Sequence, residues 1–285
     1  MAEIVINNLR YRYPETTRLA LNGITCQIHQ GEFIGVIGRN GAGKSTFSQA
    51  LLGLVPNFYH GAYGGSVTID GVNVKESSVD ELCQKVGLVF QNPFNQITGS
   101  KLTVYEEIAF GLENFGVPSD EMHRRIDNAM ELLDISELKN RVPYDLSGGQ
   151  MQRMALAGII VMEPEVIVMD EPTSQLDPQG SEEVFRAVRA LKNQGKTIIM
   201  IEHKIEKIAA YSDCVMLLDD GKLVAMDTPK VIFSRDDLAK HGVCAPTYTQ
   251  ICRELNIRDR DGLFPVTLEE TRALLDADMK ERVSR

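Results

Sequence analysis

Apolar residues in the first 225 positions form short runs, each about as long as a β-strand. The runs lie at residues 4–6, 25–28, 33–37, 85–90, 166–169, 197–201 and 215–218. The last four are β-branched or aliphatic with little polar alternation, a pattern typical of strands that are covered on both faces. We therefore predict a central sheet that is largely parallel.

Helical periodicity fills the segments between these runs. One pattern begins at Ser45 and places three apolar residues on one face, namely Phe47, Leu51 and Leu54. A second follows Thr103, whose hydroxyl can cap a helix while Glu106, three residues on, returns the hydrogen bond. A third is amphipathic, with a charged outer side and apolar positions at Met122, Ile126, Ala129 and Leu133.

The order of these elements predicts the domain organisation. Strands alternate with helices over residues 1–227, which indicates an α/β domain with a helix-rich insertion at about 95–160. The sequence DDGK at residues 219–222 joins two apolar runs and predicts a β-hairpin. Strand signals fade beyond this point, so residues 228–285 are predicted to form a small helical appendage that includes a helix at 268–279.

Composition and charge limit the possible functions. The chain has 285 residues, of which 43% are hydrophobic and 25% are charged, as in soluble globular proteins. Its purest apolar stretch, residues 154–162, is far shorter than the roughly 20 residues of a membrane-spanning helix, and the N-terminus lacks a secretory pattern. We expect neither a membrane span nor export. A net charge of −10 disfavours nucleic acid as a partner, and five scattered cysteines without a C-x-x-C pair fit a reducing, cytoplasmic location and offer no zinc site.

A glycine-rich segment carries the first candidate chemistry. GRNGAGKST at residues 38–46 lies between a predicted strand and a predicted helix, which is the context of a phosphate-binding loop. The lysine can neutralise the β- and γ-phosphates of a nucleotide, and the serine can ligate Mg²⁺. A flexible turn that matches by chance has odds on the order of one in a hundred. The nucleotide-binding residues predicted in the loop are Gly38, Asn40, Gly41, Gly43, Lys44, Ser45 and Thr46.

Two adjacent acids supply the second candidate. Asp170 and Glu171 end an apolar run at a point where a metal could be held from the side opposite the loop. Asp170 is placed to hold Mg²⁺ through water, and Glu171 is placed to polarise an attacking water. The pair could also be a polar cap on a strand end, but the glycine loop makes the catalytic interpretation the favoured one.

The sequence LSGGQ at residues 146–150 resembles the signature of the ABC-type ATPases. The other motifs of that family occur along residues 3–228 in the order in which the family has them. Tyr13 matches the aromatic residue that stacks on adenine, and Gln91 matches the Q-loop glutamine. SQLD at 174–177 matches the D-loop, and His203 in IEH matches the switch histidine. The resemblance implies a P-loop NTPase fold with a mostly parallel core sheet, an antiparallel β subdomain, a helical insertion and a helical appendage.

The same resemblance assigns roles to single residues. It implies that Gln91 contacts Mg²⁺ and the attacking water, and that His203 contacts the γ-phosphate. For Tyr13, the alternative is a core position, since an aromatic residue at a strand end is more often buried. The remaining histidines are predicted to be surface or structural, namely His29, His60, His123 and His241.

The signature is implied to act on a second subunit, because in this fold it lies too far from its own phosphate loop. Glycines at a helix N-terminus offer amides and a positive dipole to a γ-phosphate. The family pairs two subunits head to tail, so that the signature of one closes over the ATP held by Lys44 of the other. The residues predicted to act in this way are Ser147, Gly148, Gly149, Gln150 and Asp177. The C-terminal appendage is a further candidate for a dimer contact.

Within the family, FQNPFNQ at residues 90–96 and the segment 103–114 resemble the ATPases of energy-coupling-factor importers. This implies a peripheral ATPase on the cytoplasmic face of the cell membrane, paired with itself or with a related ATPase. It would act beneath a transmembrane coupling protein and a substrate-binding membrane protein that import a vitamin or a transition metal ion. Phe94 and Ile97 are predicted to lie on the docking surface for that partner, within residues 91–114; packing beneath the helical insertion is the alternative.

Two other functions stay open. One is a generic ABC importer ATPase outside the energy-coupling branch. The other is a soluble ABC ATPase that acts on nucleic acid or ribosomes. The second is disfavoured because only about a hundred residues, without sustained heptads, separate Gly43 from Ser147, and because the chain has one cassette and no zinc cysteines.

Overall fold

The computed structural model describes residues 3–283 of the chain. Within this part the strands are β1 (Ile4–Arg12), β2 (Leu21–Ile28), β3 (Phe33–Ile37), β4 (Ala62–Ile69), β5 (Val72–Asn73), β6 (Val86–Val89), β7 (Val166–Asp170), β8 (Thr197–Ile201), β9 (Cys214–Asp219) and β10 (Lys222–Asp227). The helices are α1 (Lys44–Leu51), α2 (Leu54–Asn57), α3 (Val79–Cys83), α4 (Val104–Asn114), α5 (Ser119–Leu132), α6 (Gly148–Ile160), α7 (Pro178–Asn193), α8 (Ile205–Tyr211), α9 (Pro229–Phe233), α10 (Thr247–Glu254) and α11 (Leu268–Val283). Short 3₁₀ turns lie at Pro93–Asn95, Ser136–Leu138, Pro143–Asp145 and Leu238–His241.

The central sheet has the strand order β10-β9-β3-β8-β7-β6. Every neighbouring pair is parallel except the hairpin of β9 and β10. Both faces are buried: Ile198 and Met200 of β8 pack into one core, and Ile199 and Ile201 pack into the other. The predicted parallel sheet with two covered faces is therefore confirmed. The predicted hairpin is also confirmed, and its two turn residues, Asp220 and Gly221, both have positive φ.

A second sheet is antiparallel and has the order β2-β1-β4-β5. Sequence patterning missed β4 and β5, because Gly64 and Gly65 interrupt the apolar alternation. Gly65 has φ of 79°, and a Cβ there would lie 2.3 Å from the carbonyl oxygen of Asn8, beside an irregularity in the pairing of β1 with β4. The glycines thus serve a close backbone approach rather than a break between strands.

The predicted first helix is shorter than its apolar pattern. The placement of Leu54 on the same helix as Phe47 and Leu51 is wrong, since α1 ends at Leu51 and Leu54 begins α2. Gly53 separates them with φ of 69°, a left-handed conformation that ends a helix. The predicted cap of α4 is confirmed, because Thr103 and Glu106 form the reciprocal pair of hydrogen bonds of a capping box.

Helices α4 to α6 occupy the predicted helical insertion and contact one another. Helices α9 to α11 follow β10, and a small core of Cys252, Ile257 and Phe264 forms in this C-terminal segment. The domain boundaries at 95, 160 and 228 stay predictions. Across residues 3–283, no helix combines the length and apolar character that a membrane crossing requires.

The topology brings four strand ends to one edge of the central sheet. Strand β3 leads into the glycine loop, β6 leads to Gln91, and β7 ends in Asp170. Strand β8 pairs with β7 in parallel register, with Ile201 opposite Asp170, and is followed by His203. Because the carboxyl ends of parallel strands meet at the same edge, the candidate residues converge there.

Candidate active site

The phosphate loop joins the carboxyl end of β3 to the first turn of α1. Gly38 and Gly43 have φ of 148° and 102°. A Cβ would lie 2.1 Å from the Leu218 oxygen at the first position and 2.5 Å from the Ala20 oxygen at the second. Only glycine therefore fits, and the loop leaves the amides of the α1 N-terminus available to a phosphate.

Lys44 lies inside this loop and is only 6% exposed. Its Nζ donates hydrogen bonds to the carbonyl oxygens of Gly38, at 2.8 Å, and Arg39, at 3.2 Å. Burial lowers the pKa of the ammonium, and the nearby carboxylates of Glu171 and Asp170 oppose that shift. The cation is thus held where a bound phosphate would be neutralised.

Asp170 is the residue that best fits a metal. Its Oδ1 is buried and has no hydrogen-bond partner among the described residues. Burial raises the pKa of the carboxyl, and the hydrogen bond with Ser45 opposes this shift. A buried carboxylate oxygen without a partner is costly, and a carboxylate beside a hydroxyl is a ligand set that Mg²⁺ prefers. The pair therefore fits the predicted Mg²⁺.

Glu171 is held between side chains from two other strand ends. Gln91 Nε2 donates to Oε2 at 2.7 Å, and His203 Nε2 lies 2.9 Å from Oε1. Glu171 itself has φ of 50°, a left-handed conformation that is uncommon for a residue with a side chain. The structure thus brings the three predicted catalytic residues together, with Gln91 and His203 in contact with the Glu171 carboxylate.

Tyr13 lies at the edge of the same site. Its hydroxyl donates to Gln49 Oε1 at 2.9 Å and lies 3.1 Å from the hydroxyl of Thr46 in the phosphate loop. Tyr11, in contrast, is fully buried, and its hydroxyl donates to the carbonyl oxygen of Tyr59 at 2.6 Å. Tyr11 is therefore the core aromatic residue, and Tyr13 is the one that faces the cavity.

An open cavity of about 720 Å³ lies at this site, which is within the range of about 300–1,000 Å³ that small-molecule sites occupy. Of the predicted nucleotide- and metal-binding residues, Gly38 and Asp170 do not line it. Its lining combines residues of the glycine-rich loop with the three predicted catalytic residues: Tyr13, Ala20, Asn40, Gly41, Gly43, Lys44, Ser45, Thr46, Gln91, Glu171 and His203.

The signature lies at a second, separate cavity. Ser147 caps α6: its Oγ accepts from the Gln150 amide at 3.3 Å, and Gln150 Oε1 accepts from the Ser147 amide at 3.0 Å. Asp177 caps α7 by accepting from the Gly180 amide at 2.7 Å. This cavity, of about 380 Å³, is lined by residues that include Ser147, Gly149, Gln150 and Asp177, and among residues 3–283 none lines both cavities. Gly148 is in the first turn of α6, where a Cβ would meet open space.

Sequence reasoning missed Glu202, which is 2% exposed and directly precedes His203. Its Oε1 accepts from the amide of Thr173, at 3.2 Å, and from the Thr173 hydroxyl. Its Oε2 accepts from the amides of His203, at 2.7 Å, and Lys204, at 3.3 Å. One carboxylate thus joins the segment after Glu171 to the backbone of the switch histidine. An acid directly after a fully buried strand is the available signal.

Replacing Glu202 by glutamine should lower kcat and stability together. Glutamine puts an NH₂ group where one oxygen now accepts two N–H or O–H donors, so about 1–3 kcal/mol of stability is lost. The spacing between Glu171 and His203 loosens as a result, and kcat should fall about tenfold. Steady-state ATP hydrolysis and thermal melting measure the two effects. Glu131→Gln, at an exposed position of α5, is the matched control and should change neither; an unchanged kcat in Glu202→Gln would contradict the positioning role.

The chain is similar in sequence to known transporter subunits. Residues 21–174 match the family model described as ABC transporter. The energy-coupling factor transporter ATP-binding protein EcfA1 of Latilactobacillus sakei is 42% identical over 232 residues, which are 81% of this chain and 80% of that protein. EcfA1 of Lacticaseibacillus paracasei is 42% identical over 245 residues, 85% of each chain.

Solved structures show the same likeness. CbiO1 of Clostridium perfringens, described as part of the ABC transporter complex CbiONQ, superposes with a TM-score of 0.74 at 33% identity, over 91% of this chain and 96% of that one. A dimeric ATP-binding cassette in a post-hydrolysis state, bound to ADP and Pi, superposes with a TM-score of 0.67 at 28% identity, over 79% of this chain and 98% of that one.

Proposed function

The chain belongs to the ABC transporter ATP-binding family, and from this premise we propose that it is the ATP-hydrolysing subunit of an energy-coupling-factor importer. The observation that carries the proposal is the convergence of Gln91 and His203 on Glu171, beside a phosphate loop that holds a buried lysine. A strand-end cap would require neither of these two partners. ATP hydrolysis coupled to transport is the activity of this family.

The phosphate end of ATP is bound by the loop. Loop amides and Lys44 contact the β- and γ-phosphates, and Tyr13 stacks on the adenine. Ser45, Asp170 and Gln91 would hold Mg²⁺, which supplies positive charge to the phosphate oxygens when bound. The unpartnered oxygen of Asp170 supports this assignment.

Hydrolysis is assigned to Glu171 as the residue that orients water. Gln91 and His203 restrict the carboxylate to the side of the cavity where a water must lie to attack the γ-phosphate. Glu202 keeps the His203 backbone close to Thr173 and so preserves this spacing. The pocket thus supplies positioning and charge, which are the main requirements of phosphoryl transfer.

A second subunit completes the site. The signature cavity shares no lining residue with the nucleotide cavity, so Ser147 and Gly149 are available to a nucleotide bound by another copy or by a related ATPase. The likeness to a dimeric cassette bound to ADP and Pi supports this pairing. Asp177, beside Ser147, belongs to the same contact, and hydrolysis opens it.

The membrane partner is assigned to a groove between the central sheet and the helical insertion. The groove encloses about 350 Å³, and its lining includes Leu54, Phe90, Phe110 and Met162. Ile97 lines it and also packs against the core, whereas Phe94 in the same loop is 53% exposed. We propose that a partly apolar cytoplasmic helix of a transmembrane coupling protein binds in this groove, with the chain at the cytoplasmic face of the cell membrane.

Replacing Phe94 by glutamate should separate transport from hydrolysis. The side chain is exposed and makes no contact with the nucleotide cavity, so basal ATP hydrolysis should stay within about twofold of the wild type. A charge at an apolar contact should abolish recovery of the chain with membranes and should abolish uptake. Phe58→Glu, at an aromatic residue that is 68% exposed and lies outside residues 91–114, is the matched control. If the Phe94→Glu chain is recovered with membranes at the wild-type level, Phe94 does not belong to the docking surface.

We assign the imported substrate to the class of micronutrients, either a vitamin or a transition metal ion, because the chain resembles energy-coupling-factor ATPases. Deleting the gene should abolish uptake of a labelled vitamin, Co²⁺ or Ni²⁺, and a tagged chain should purify from solubilised membranes with an integral membrane protein. Unchanged uptake, with the chain recovered on ribosomes or nucleic acid, would instead favour the soluble alternative.

A further inference from the structure

The phosphate loop is connected to the C-terminal appendage through Arg39. The Arg39 carbonyl oxygen accepts from Lys44 Nζ at 3.2 Å, so this residue helps to place the lysine. Its guanidinium Nε lies 2.6 Å from Oδ1 of Asp219, at the end of β9. The other oxygen of Asp219 lies 2.9 Å from Nδ1 of His241, which ends the 3₁₀ turn that follows α9.

The backbone of the appendage also lies directly against Arg39. Gly242 follows His241 with φ of 71°, and a Cβ there would lie 2.8 Å from the Cβ of Arg39. On its other side, His241 Nε2 lies 3.6 Å from Oδ2 of Asp237, which in turn is paired with Arg235. A series of paired side chains therefore connects the appendage to the loop, in the order Arg235, Asp237, His241, Asp219 and Arg39.

Asp219 contacts both Arg39 and His241 and so links the loop to the appendage. The hydrogen bond with His241 and the charge of Arg39 lower the pKa of its carboxyl, so that it is ionised at neutral pH. The side chains of Asp219 and His241 are only 15% and 18% exposed. The Asp219–His241 pair is therefore screened less by solvent than a surface pair, and it fixes the carboxylate against which the Arg39 side chain, itself 49% exposed, is held.

We propose that Asp219 and His241 are positioning residues for the phosphate loop: they hold Arg39, whose carbonyl oxygen helps to hold Lys44, and so they increase the affinity for ATP. The C-terminal appendage thereby contributes to the nucleotide site of its own chain. This inference rests on the proposed function, since it takes the loop to bind ATP, and it gives His241 a role that the sequence did not indicate.

The test compares KM and kcat for Mg·ATP in variants of the full chain. His241→Ala should raise KM about threefold to tenfold and leave kcat within about twofold. His241→Asn keeps an N–H donor near the position of Nδ1 and should restore KM to nearly the wild-type value. Lys240→Ala changes an exposed residue of the same turn and is the matched control.

A double-mutant cycle with Arg39→Ala separates this mechanism from a general loss of structure. If His241 acts through Arg39, His241→Ala should have no further effect on KM once Arg39 is alanine. Independent effects that multiply, or an unchanged KM in His241→Ala beside an active wild type, would overturn the inference. Should His241→Ala fail to fold, Asp219→Asn takes its place in the same cycle with the same outcomes. A wild-type chain that hydrolyses no ATP would refute the proposed function instead.

Discussion

Replacing Glu171 by glutamine should reduce steady-state ATP turnover about 100-fold or more while ATP still binds. Glutamine keeps the shape of the side chain and can still contact Gln91 and His203, which lie 2.7 Å and 2.9 Å from the Glu171 oxygens. It loses the negative charge that orients and polarises water. ATP affinity, measured separately by equilibrium binding, should stay within about threefold, because Lys44 and the loop are unchanged.

Glu165→Gln is the matched control for this variant. Glu165 is exposed and precedes β7, whereas Glu171 follows the same strand, so the two changes are chemically equal and differ only in position. The control should hydrolyse ATP at the wild-type rate. Turnover in Glu171→Gln above about one tenth of the wild-type value would remove Glu171 from its assigned role.

Some of the predicted motifs are ones in which neighbouring residues determine the backbone. Gly38 and Gly43 adopt positive φ where a side chain would collide with backbone. Ser147 and Gln150 cap α6, because the side chain of each accepts a hydrogen bond from the backbone amide of the other. In such cases local sequence carries the geometry, so both the phosphate loop and the signature could be identified before the fold was known.

The cluster of Gln91, Glu171 and His203 could not be derived in the same way. Gln91, Glu171 and His203 follow three different strands, and nothing in their spacing shows that these strands are neighbours in the sheet. The resemblance to a family supplied that information. Glu202 was missed for the same reason, because its hydrogen bonds to Thr173 cross from β8 to the segment after β7.

Other features of the fold were not predictable from the apolar pattern, for reasons that differ from one residue to the next. Strand β4 was missed because Gly65 interrupts its apolar pattern. The reason for glycine at this position, a close approach to Asn8 in β1, is visible only in the folded sheet. Leu54 continued the apolar period of α1, but Gly53 ended the helix before it. His241 had no local feature to distinguish it from the other histidines, since its partner Asp219 lies in another element.

Two inactive variants of this chain should restore activity when they pair. Lys44→Ala removes the charge that faces the phosphates, and Ser147→Arg blocks the signature that is predicted to close over the nucleotide of a second copy. Each variant alone should hydrolyse ATP very slowly, because every site carries one of the two lesions. In a mixed dimer, one site carries both lesions and the other carries neither. The separate positions of the two cavities within one chain are the reason to expect this recovery.

The most direct test of a site shared between two copies is therefore the ATPase rate of an equal mixture of Lys44→Ala and Ser147→Arg chains, measured beside each variant and the wild type. Random pairing of symmetric dimers makes half of them mixed, so the rate should rise clearly above both single variants and approach about a quarter of the wild-type rate if the sites act independently. A mixture no more active than either variant alone, beside an active wild type, would contradict the account.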